Sequence, residues 1–327
     1  MKLNLLFLIC LLLFSCGDEN NPVSYSSSQF MGEFETEEEP NAIAFDPGNN
    51  ILYVSHSRPS TGQNVRRIQK YSAEGQLSGT FFTYPNNAED DSISYSPVDM
   101  AIDESGNVYV LLLKLRKNPN GSRTQIEDFH IRQYNKNGVL GKVFDFPEIE
   151  SLYYPSALTY NDGMLCVTNG ILLLKISIES TNFTTAKVPA EGIDQAYGDY
   201  LPITDMIFDA AGNIWITGQS SIDNESVGCY FAKLNTANNA QVFNSKGKTI
   251  NFAANFNNPG ITFDGDGNLF LSTGYCQSVE IYDSKSHFVY EFDTGAESLP
   301  FDVAVGNNNV VYVLDQLNDK VLIYKIK

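Results

Sequence analysis

The sequence predicts an all-β protein, a six-bladed β-propeller of four-stranded antiparallel blades that is closed by an N-terminal strand completing the last blade. Three observations support this prediction. A unit of about 40 to 55 residues recurs six times, each unit alternates apolar and polar residues as β-strands do, and the last unit is one strand short. After the N-terminal apolar segment, no apolar stripe of helical period runs for three turns.

Each unit has an apolar stretch, a polar turn rich in Asp, Gly and Asn, and a short β-type segment around a large apolar residue, as in Ala42–Asp46 and Leu52–Val54. The centres of these segments form one column: Tyr53, Tyr109, Cys166, Trp215, Phe270 and Tyr312. A later β-type segment gives a second column: Tyr71, Tyr134, Ile176, Leu234, Tyr282 and Tyr324. Twisted sheets that pack face to face need large apolar side chains at matching depth. The columns therefore predict the middle strands of the blades.

The end of the chain predicts how the ring closes. The sixth unit stops after three predicted strands, at Lys320–Tyr324. A propeller has to close without a free edge, and the apolar segment Gln29–Phe34 precedes the first unit. We therefore predict that the first and last segments share one sheet and that the propeller occupies residues 29–327.

The sixth unit resembles an NHL-type repeat in Pro300–Val305, Val311–Asp315 and Val321–Tyr324. The other five units are looser copies with longer loops. The resemblance implies a six-bladed propeller that binds ligands on the face formed by the starts of the inner strands and the loops between second and third strands. NHL-type proteins include protein-binding and nucleic-acid-binding modules, and related six-bladed folds include lactonases and lyases. The fold therefore does not decide the function.

The N-terminus predicts a bacterial lipoprotein. Its apolar run, Leu3–Phe14, is too short to span a bilayer permanently. The residues Leu13–Cys16 resemble a lipobox, which implies a signal peptide over residues 1–15 and a lipidated Cys16. Residues 16–28 are then the lipidated cysteine and a flexible tether. An ordinary secretory signal with a chance cysteine and a buried helix are the alternatives.

This resemblance places the protein in the bacterial cell envelope, as an outer-membrane or cell-surface lipoprotein. Contact with the membrane is expected through the lipid anchor only. The chain has 39 acidic and 21 basic residues and a net charge of −18, which repels nucleic acid phosphates. We therefore expect no nucleic acid partner. We also expect a protein or glycan ligand and a monomeric protein.

The cysteines outside the N-terminal segment are Cys166, Cys229 and Cys276. An odd number without a C-x-x-C spacing argues against a zinc ribbon or a disulfide framework. Cys229 and Cys276 fall at nearly equivalent places in adjacent units. The sequence leaves open a bridge between them or buried thiols.

The first position of the predicted inner strands suggests a candidate metal site. This position reads Ala42, Asp99, Ala157, Asp205, Gly260 and Asp302, so that an acid alternates with a small residue. The alignment predicts that Asp99, Asp205 and Asp302 surround one mouth of the central channel. Three converging carboxylates suit a hard cation such as calcium. In the alternative, each aspartate is structural and accepts hydrogen bonds from neighbouring backbone amides.

Basic residues in the loops suggest a binding face in an otherwise acidic protein. The candidates are His56, Arg58, Arg66, Lys114, Arg116, Lys117 and Arg123, and a solvated loop is the alternative.

The chain lacks G-x-S-x-G, H-E-x-x-H and a phosphate-binding glycine loop, so no catalytic residue is predicted. Two functions follow as hypotheses. One is a binding or assembly module that recognises a protein or glycan, and the other is a calcium-type hydrolase, lactonase or lyase in the channel mouth.

Overall fold

The structure is a computed structural model that describes residues 25–56, 66–84, 93–117, 124–146, 155–168, 172–187, 203–223, 226–234, 240–244, 250–251 and 259–327. Its strands form six antiparallel sheets, each of which is one blade of a propeller. The all-β prediction is confirmed. Within the described ranges, no helix is long and apolar enough to cross a membrane. Residues 1–24, with Cys16, lie outside these ranges, so the lipid anchor stays a prediction.

The strands follow one another blade by blade. The chain begins with β1 (Ser28–Glu35) and continues into blade 1 with β2 (Pro40–Asp46), β3 (Ile51–His56), β4 (Arg66–Ser72) and β5 (Leu77–Tyr84). Blade 2 has β6 (Ile93–Ile102), β7 (Val108–Lys117), β8 (Thr124–Tyr134) and β9 (Leu140–Asp145). Blade 3 has β10 (Ala157–Asn161), β11 (Met164–Thr168), β12 (Leu172–Ser177) and β13 (Phe183–Lys187).

The second half of the ring repeats this order. Blade 4 has β14 (Ile203–Phe208), β15 (Ile214–Asp223), β16 (Ser226–Leu234), β17 (Ala240–Asn244) and the short β18 (Ile250–Asn251), which pairs with β16. Blade 5 has β19 (Ile261–Phe263), β20 (Leu269–Ser272), β21 (Ser278–Tyr282) and β22 (Phe288–Asp293). Blade 6 has β23 (Pro300–Val305), β24 (Val310–Asp315) and β25 (Lys320–Ile326), and β1 completes it.

The first strand closes the ring, as the sequence predicts. β1 pairs antiparallel with β25, with Phe30 opposite Tyr324 and Phe34 opposite Val321. The backbone N–H of Thr36 donates to the Asp319 carbonyl at 2.8 Å, which fixes the crossing from blade 6 to blade 1. The inner strands of neighbouring blades contact one another around the whole ring, including β23 with β2.

The two predicted columns form the packed faces of the blades. All twelve residues of the columns are at most 6% exposed. Aromatic rings meet across neighbouring blades, as in the stacked pair Tyr109 and Tyr160, whose centroids are 5.8 Å apart. Cys166 replaces an aromatic residue in the first column, and burial raises the pKa of its thiol to about 12. The Cys229 side chain lies outside the described residues, so its pairing with Cys276 is not tested.

A recurring aspartate organises the turn after the inner strand. Asp209 accepts hydrogen bonds from the backbone N–H of Ala211 and Asn213, from the Asn213 side chain and from the Trp215 indole. The Lys233 ammonium lies 2.9 Å from its carboxylate. Burial raises the pKa of Asp209, but the hydrogen bonds from Trp215, Lys233 and Asn213 outweigh this and lower the pKa to about 2. The carboxylate thus joins the turn to the packed column.

We expect Asp209→Ala to lower the free energy of unfolding by about 1–3 kcal/mol, because it leaves the indole and two amides without their acceptor. Chemical denaturation measures this value. Asp266→Ala is the matched control, because Asp266 is an exposed acid in the equivalent turn of blade 5. The control should stay within about 0.5 kcal/mol of the parent. Equal losses in both variants would contradict the role assigned to Asp209.

Candidate functional site

The candidate site forms where the inner strands enter the central channel. In four blades, the inner strand has a β-bulge at this level, which displaces one residue from the ladder. The register shifts lie between Pro40 and Ala42, Pro97 and Asp99, Ile203 and Asp205, and Pro300 and Asp302. Three of these bulges immediately precede the predicted aspartates.

Each of the three aspartates joins its own blade to the next one. Asp99 accepts a hydrogen bond from the N–H of Met100 at 2.7 Å and another from the N–H of Leu158, in blade 3, at 2.6 Å. The other two aspartates repeat this pattern: Asp205 with Met206 and Ile261, and Asp302 with Val303 and Ile43. The links therefore run from blade 2 to 3, from blade 4 to 5, and from blade 6 to 1.

Close packing explains why Gly260, which lies between Asp205 and Asp302 in the order of the blades, has no side chain. A Cβ atom at Gly260 would lie 2.3 Å from Oδ1 of Asp302 and 2.7 Å from its Cα. Real Cβ atoms do not approach other atoms this closely. At this position the alternation of acid and small residue is a steric requirement.

The three carboxyl groups are electrostatically strained. Burial, and then repulsion from Asp302, raises the pKa of Asp99 to about 8. Burial raises the pKa of Asp302 to about 6 although two backbone amides oppose the shift. Burial and repulsion from both other acids raise the pKa of Asp205 well above its usual range. The folded protein therefore holds protons here that an unfolded chain would release.

The aspartates separate two cavities along the channel. A recess of about 350 Å³ lies on the side where the inner strands begin, and a cavity of about 190 Å³ lies on the other side. All three aspartates line both. We call the side of the disc with the larger cavity the recess face. Asn41 and Thr204 at its wall donate to the carbonyls of Pro97 at 2.7 Å and Pro259 at 2.9 Å, so polar groups of the wall also connect neighbouring blades.

The hydrogen bonds that the three aspartates accept bear on the prediction that they bind calcium. The oxygens of Asp99, Asp205 and Asp302 accept backbone N–H groups, as the structural alternative expects. Among the residues that the structure describes, no group of three or more His, Cys, Asp and Glu residues is placed to hold a metal ion. The geometry favours the structural alternative, and calcium binding by the three acids stays a prediction.

Arg66, Lys114 and Arg116 lie on blades 1 and 2 towards the recess face. The Arg66 guanidinium donates to the Tyr95 carbonyl at 3.0 Å, and Tyr95 is opposite Lys114 in the β6–β7 ladder. Arg116 follows on β7 and is half-buried. His56 is fully buried beside the Glu37 carbonyl and does not present its ring at the surface. Arg58, Arg123 and the side chain of Lys117 lie outside the described residues.

Sequence reasoning missed two groups near these candidates. Glu37 lies on the crossing from β1 to β2 and pairs with Arg67 at 3.0 Å. Arg132 on β8 lies over the ring of Tyr95, 4.6 Å from its centroid. The alternation of polar residues along β8 was the available signal for Arg132. No local sequence pattern predicts that Glu37 pairs with Arg67.

Comparisons with known proteins show the fold. No family model matches the chain, and no curated protein matches it. Virginiamycin B lyase from Staphylococcus aureus is similar in structure, with a TM-score of 0.54 and 13% identity over 91% of this chain and 99% of the lyase. A streptogramin B lyase has a TM-score of 0.52 and 12% identity over 93% of this chain and 99% of that one. The Cps50 (Swd1) β-propeller domain from Myceliophteria thermophila has a TM-score of 0.51 and 8% identity over 92% of this chain and 100% of that domain. At these identities the likeness supports a six-bladed propeller and no particular activity.

We expect the free energy of unfolding to fall as the pH rises from about 4 to about 8. The pKa values of Asp99 and Asp302 are raised from 3.8, so between these limits the folded state binds more protons than the unfolded state. Asp99→Asn removes one of these protons, and its decline should be shallower by at most about 1.4 kcal/mol per pH unit. Denaturant titrations at several pH values measure both profiles. Parallel profiles in the parent and the variant would contradict the raised pKa of Asp99.

Proposed function

We propose that this protein is a binding or assembly module held at a bacterial membrane through Cys16, and that it recognises a protein or glycan through its recess face. The observation that carries the proposal is the shape of that face. A recess of about 350 Å³ lies at the centre of that face, beside two blades whose strands extend beyond the ring. Concave sites with a rigid floor and longer walls are the usual place for ligands on such scaffolds.

The walls are extensions of blades 2 and 4. In blade 2, the β6–β7 ladder continues beyond Pro97 until Ile93 pairs with Arg116. In blade 4, the β15–β16 ladder continues until Asp223 pairs with Ser226. Both extensions point away from the turns that follow the inner strands. They therefore rise on the recess face.

The start of the described chain supports the orientation that this proposal needs. The Tyr25 hydroxyl donates to Asp264, in the turn after β19, whereas the recess residues Pro259 and Gly260 precede β19. Tyr25 thus lies on the face opposite the recess. It is nine positions from Cys16, which limits an extended tether to about 30 Å. A lipid at Cys16 would leave the recess pointing away from the membrane.

Charge supports an acidic ligand. Lys114 and Arg116 lie on the wall of blade 2 in a protein with a net charge of −18. Two cations on this wall favour acidic ligands over basic ones.

We expect the mature chain in detergent to bind a polyuronate such as alginate, and Lys114→Glu combined with Arg116→Glu to weaken this binding at least about tenfold. Biolayer interferometry at two salt concentrations measures it. Lys136→Glu combined with Lys285→Glu is the matched control, because both lysines are exposed in turns on the opposite face. Equal weakening in both pairs, or no binding by the parent, would contradict recognition of an acidic glycan by this wall.

A calcium-dependent hydrolase, lactonase or lyase is the second candidate. The observation in its favour is the position of three half-buried acids at the floor of the recess. Calcium would act there as a Lewis acid when bound.

If the acids bind calcium, calcium chloride should raise the melting temperature of the parent relative to EDTA, and Asp302→Asn should abolish this rise. Differential scanning calorimetry at constant ionic strength measures both. The same melting temperature in calcium and in EDTA would remove the basis of this candidate. It would leave the binding proposal untouched.

A further inference from the structure

The outer strands carry an exposed apolar residue at the same register in four successive blades. In each of these blades the residue pairs with the residue of the second column. The pairs are Phe30 with Tyr324, Leu77 with Tyr71, Leu140 with Tyr134, and Phe183 with Ile176. They belong to blades 6, 1, 2 and 3, whose inner strands contact one another in this order. We call Phe30, Leu77, Leu140 and Phe183 the apolar arc.

The side chains of the apolar arc are exposed to solvent. Phe30, Leu77, Leu140 and Phe183 are 53%, 58%, 48% and 43% exposed. The other exposed large apolar residues of the described chain are Met31, Val139 and Val143, which adjoin the arc, and Leu317, which does not. Single exposed apolar residues are normal on a protein surface, whereas a recurring group of them indicates an interaction site. The arc is therefore a candidate interaction surface.

The arc follows the rim of the face opposite the recess. The third strand of each blade runs away from the recess face, and a short turn then leads to the outer strand. In blade 1, the N–H of Ser72 donates to the Gln76 carbonyl at 2.8 Å and closes this turn, and Leu77 follows directly. Tyr25 lies on the same face of the disc, beside Asp264. The arc and the start of the described chain therefore share one face.

The start of the described chain is fixed on this face. The Tyr25 side chain is 4% exposed, and the centroid of its ring lies 6.0 Å from that of Phe270. The N–H of Ser26 donates to the Lys327 carbonyl at 2.9 Å. Cys16 is nine positions before Tyr25, so a lipid on Cys16 lies within about 30 Å of this point. Such a lipid would keep the apolar arc beside the bilayer surface, and this step rests on the anchoring proposed above.

The charges next to the arc suit a zwitterionic lipid surface. The exposed tips of the turns carry Glu74 and Glu179 but also Lys136 and Lys285, so they have no uniform sign. The net charge of −18 repels anionic lipids. The polar turns fit the headgroup layer, which is about 5–7 Å deep. Apolar side chains at the level of the headgroups gain free energy by leaving water.

We infer that the apolar arc binds the surface of a zwitterionic phospholipid bilayer, as a second membrane contact beside the lipid on Cys16. The sequence predicts contact through the lipid only. A lipid alone leaves the disc free to tilt, whereas a contact that spans four of the six blades would fix its orientation. The contact would hold the recess face away from the bilayer. A second copy of the chain bound at the arc is the competing outcome of the test.

Tryptophan fluorescence measures which residues contact lipid. The chain contains one tryptophan, Trp215, which is 3% exposed and therefore gives a constant background. The lipidated mature chain with Leu140→Trp should lose at least about a third of its emission when brominated phosphatidylcholine replaces the ordinary lipid in its vesicles.

Leu317→Trp is the matched control and should lose no emission. Leu317 is 63% exposed and lies on the recess side, where the N–H of Gln316 donates to the Leu299 carbonyl just before β23. Equal emission of Leu140→Trp in the two lipids would overturn the inference, and so would equal losses at both positions.

A second measurement needs no lipid on Cys16. A chain that begins at Gly17 keeps every described strand and should bind phosphatidylcholine vesicles. Leu77→Thr, Leu140→Thr and Phe183→Thr together should weaken this binding at least about tenfold. Threonine suits exposed strand positions, so the melting temperature should stay within about 2 °C of the parent. Leu317→Thr should bind as the parent does.

Absence of vesicle binding by the parent, or equal binding by the triple variant, would overturn the inference. In sedimentation velocity, a parent dimer that dissociates in the triple variant would assign the arc to a second copy and overturn it as well. The intact mass of the mature chain tests the lipid separately. An unmodified Cys16 would overturn the proposed anchoring, and the chain that begins at Gly17 would still report whether the arc binds lipid.

Discussion

The pairing of β1 with β25 is the constraint on which the rest of the structure depends. It brings a segment from the beginning of the chain into the last blade, and the crossing that follows delivers β2 to the centre of the ring. Asp302 then connects the closing blade to Ile43 of the first. Without this closure, blade 6 would keep an open edge.

The three aspartates show how a propeller can use acids at its centre to join neighbouring blades. Each accepts one backbone N–H from its own blade and one from the next, so each hydrogen-bonds across a blade boundary. Burial makes the same groups hard to ionise. The structure therefore combines a rigid floor for the recess with acids whose protonation depends on pH near neutrality.

The repeat pattern was sufficient for the fold and for the position of the acids, but it did not reveal their role. The two columns and the closing strand follow from apolar alternation, which is local. Whether Asp99 binds a cation or a backbone amide depends on how close the N–H of Leu158, in the next blade, lies to its carboxyl group. No local sequence pattern predicts that distance. The sequence predicts His56 on the binding face among the basic residues of the loops, but its ring is buried in the protein.

The closure is tested most directly by comparing two shortened chains. A chain that begins at Tyr25 keeps all of β1 and should melt at the temperature of a chain that begins at Cys16. A chain that begins at Glu37 lacks β1, which leaves the outer edge of β25 unpaired, and it should melt at a much lower temperature or fail to unfold cooperatively. Equal melting temperatures for the two chains would contradict the closed ring described above.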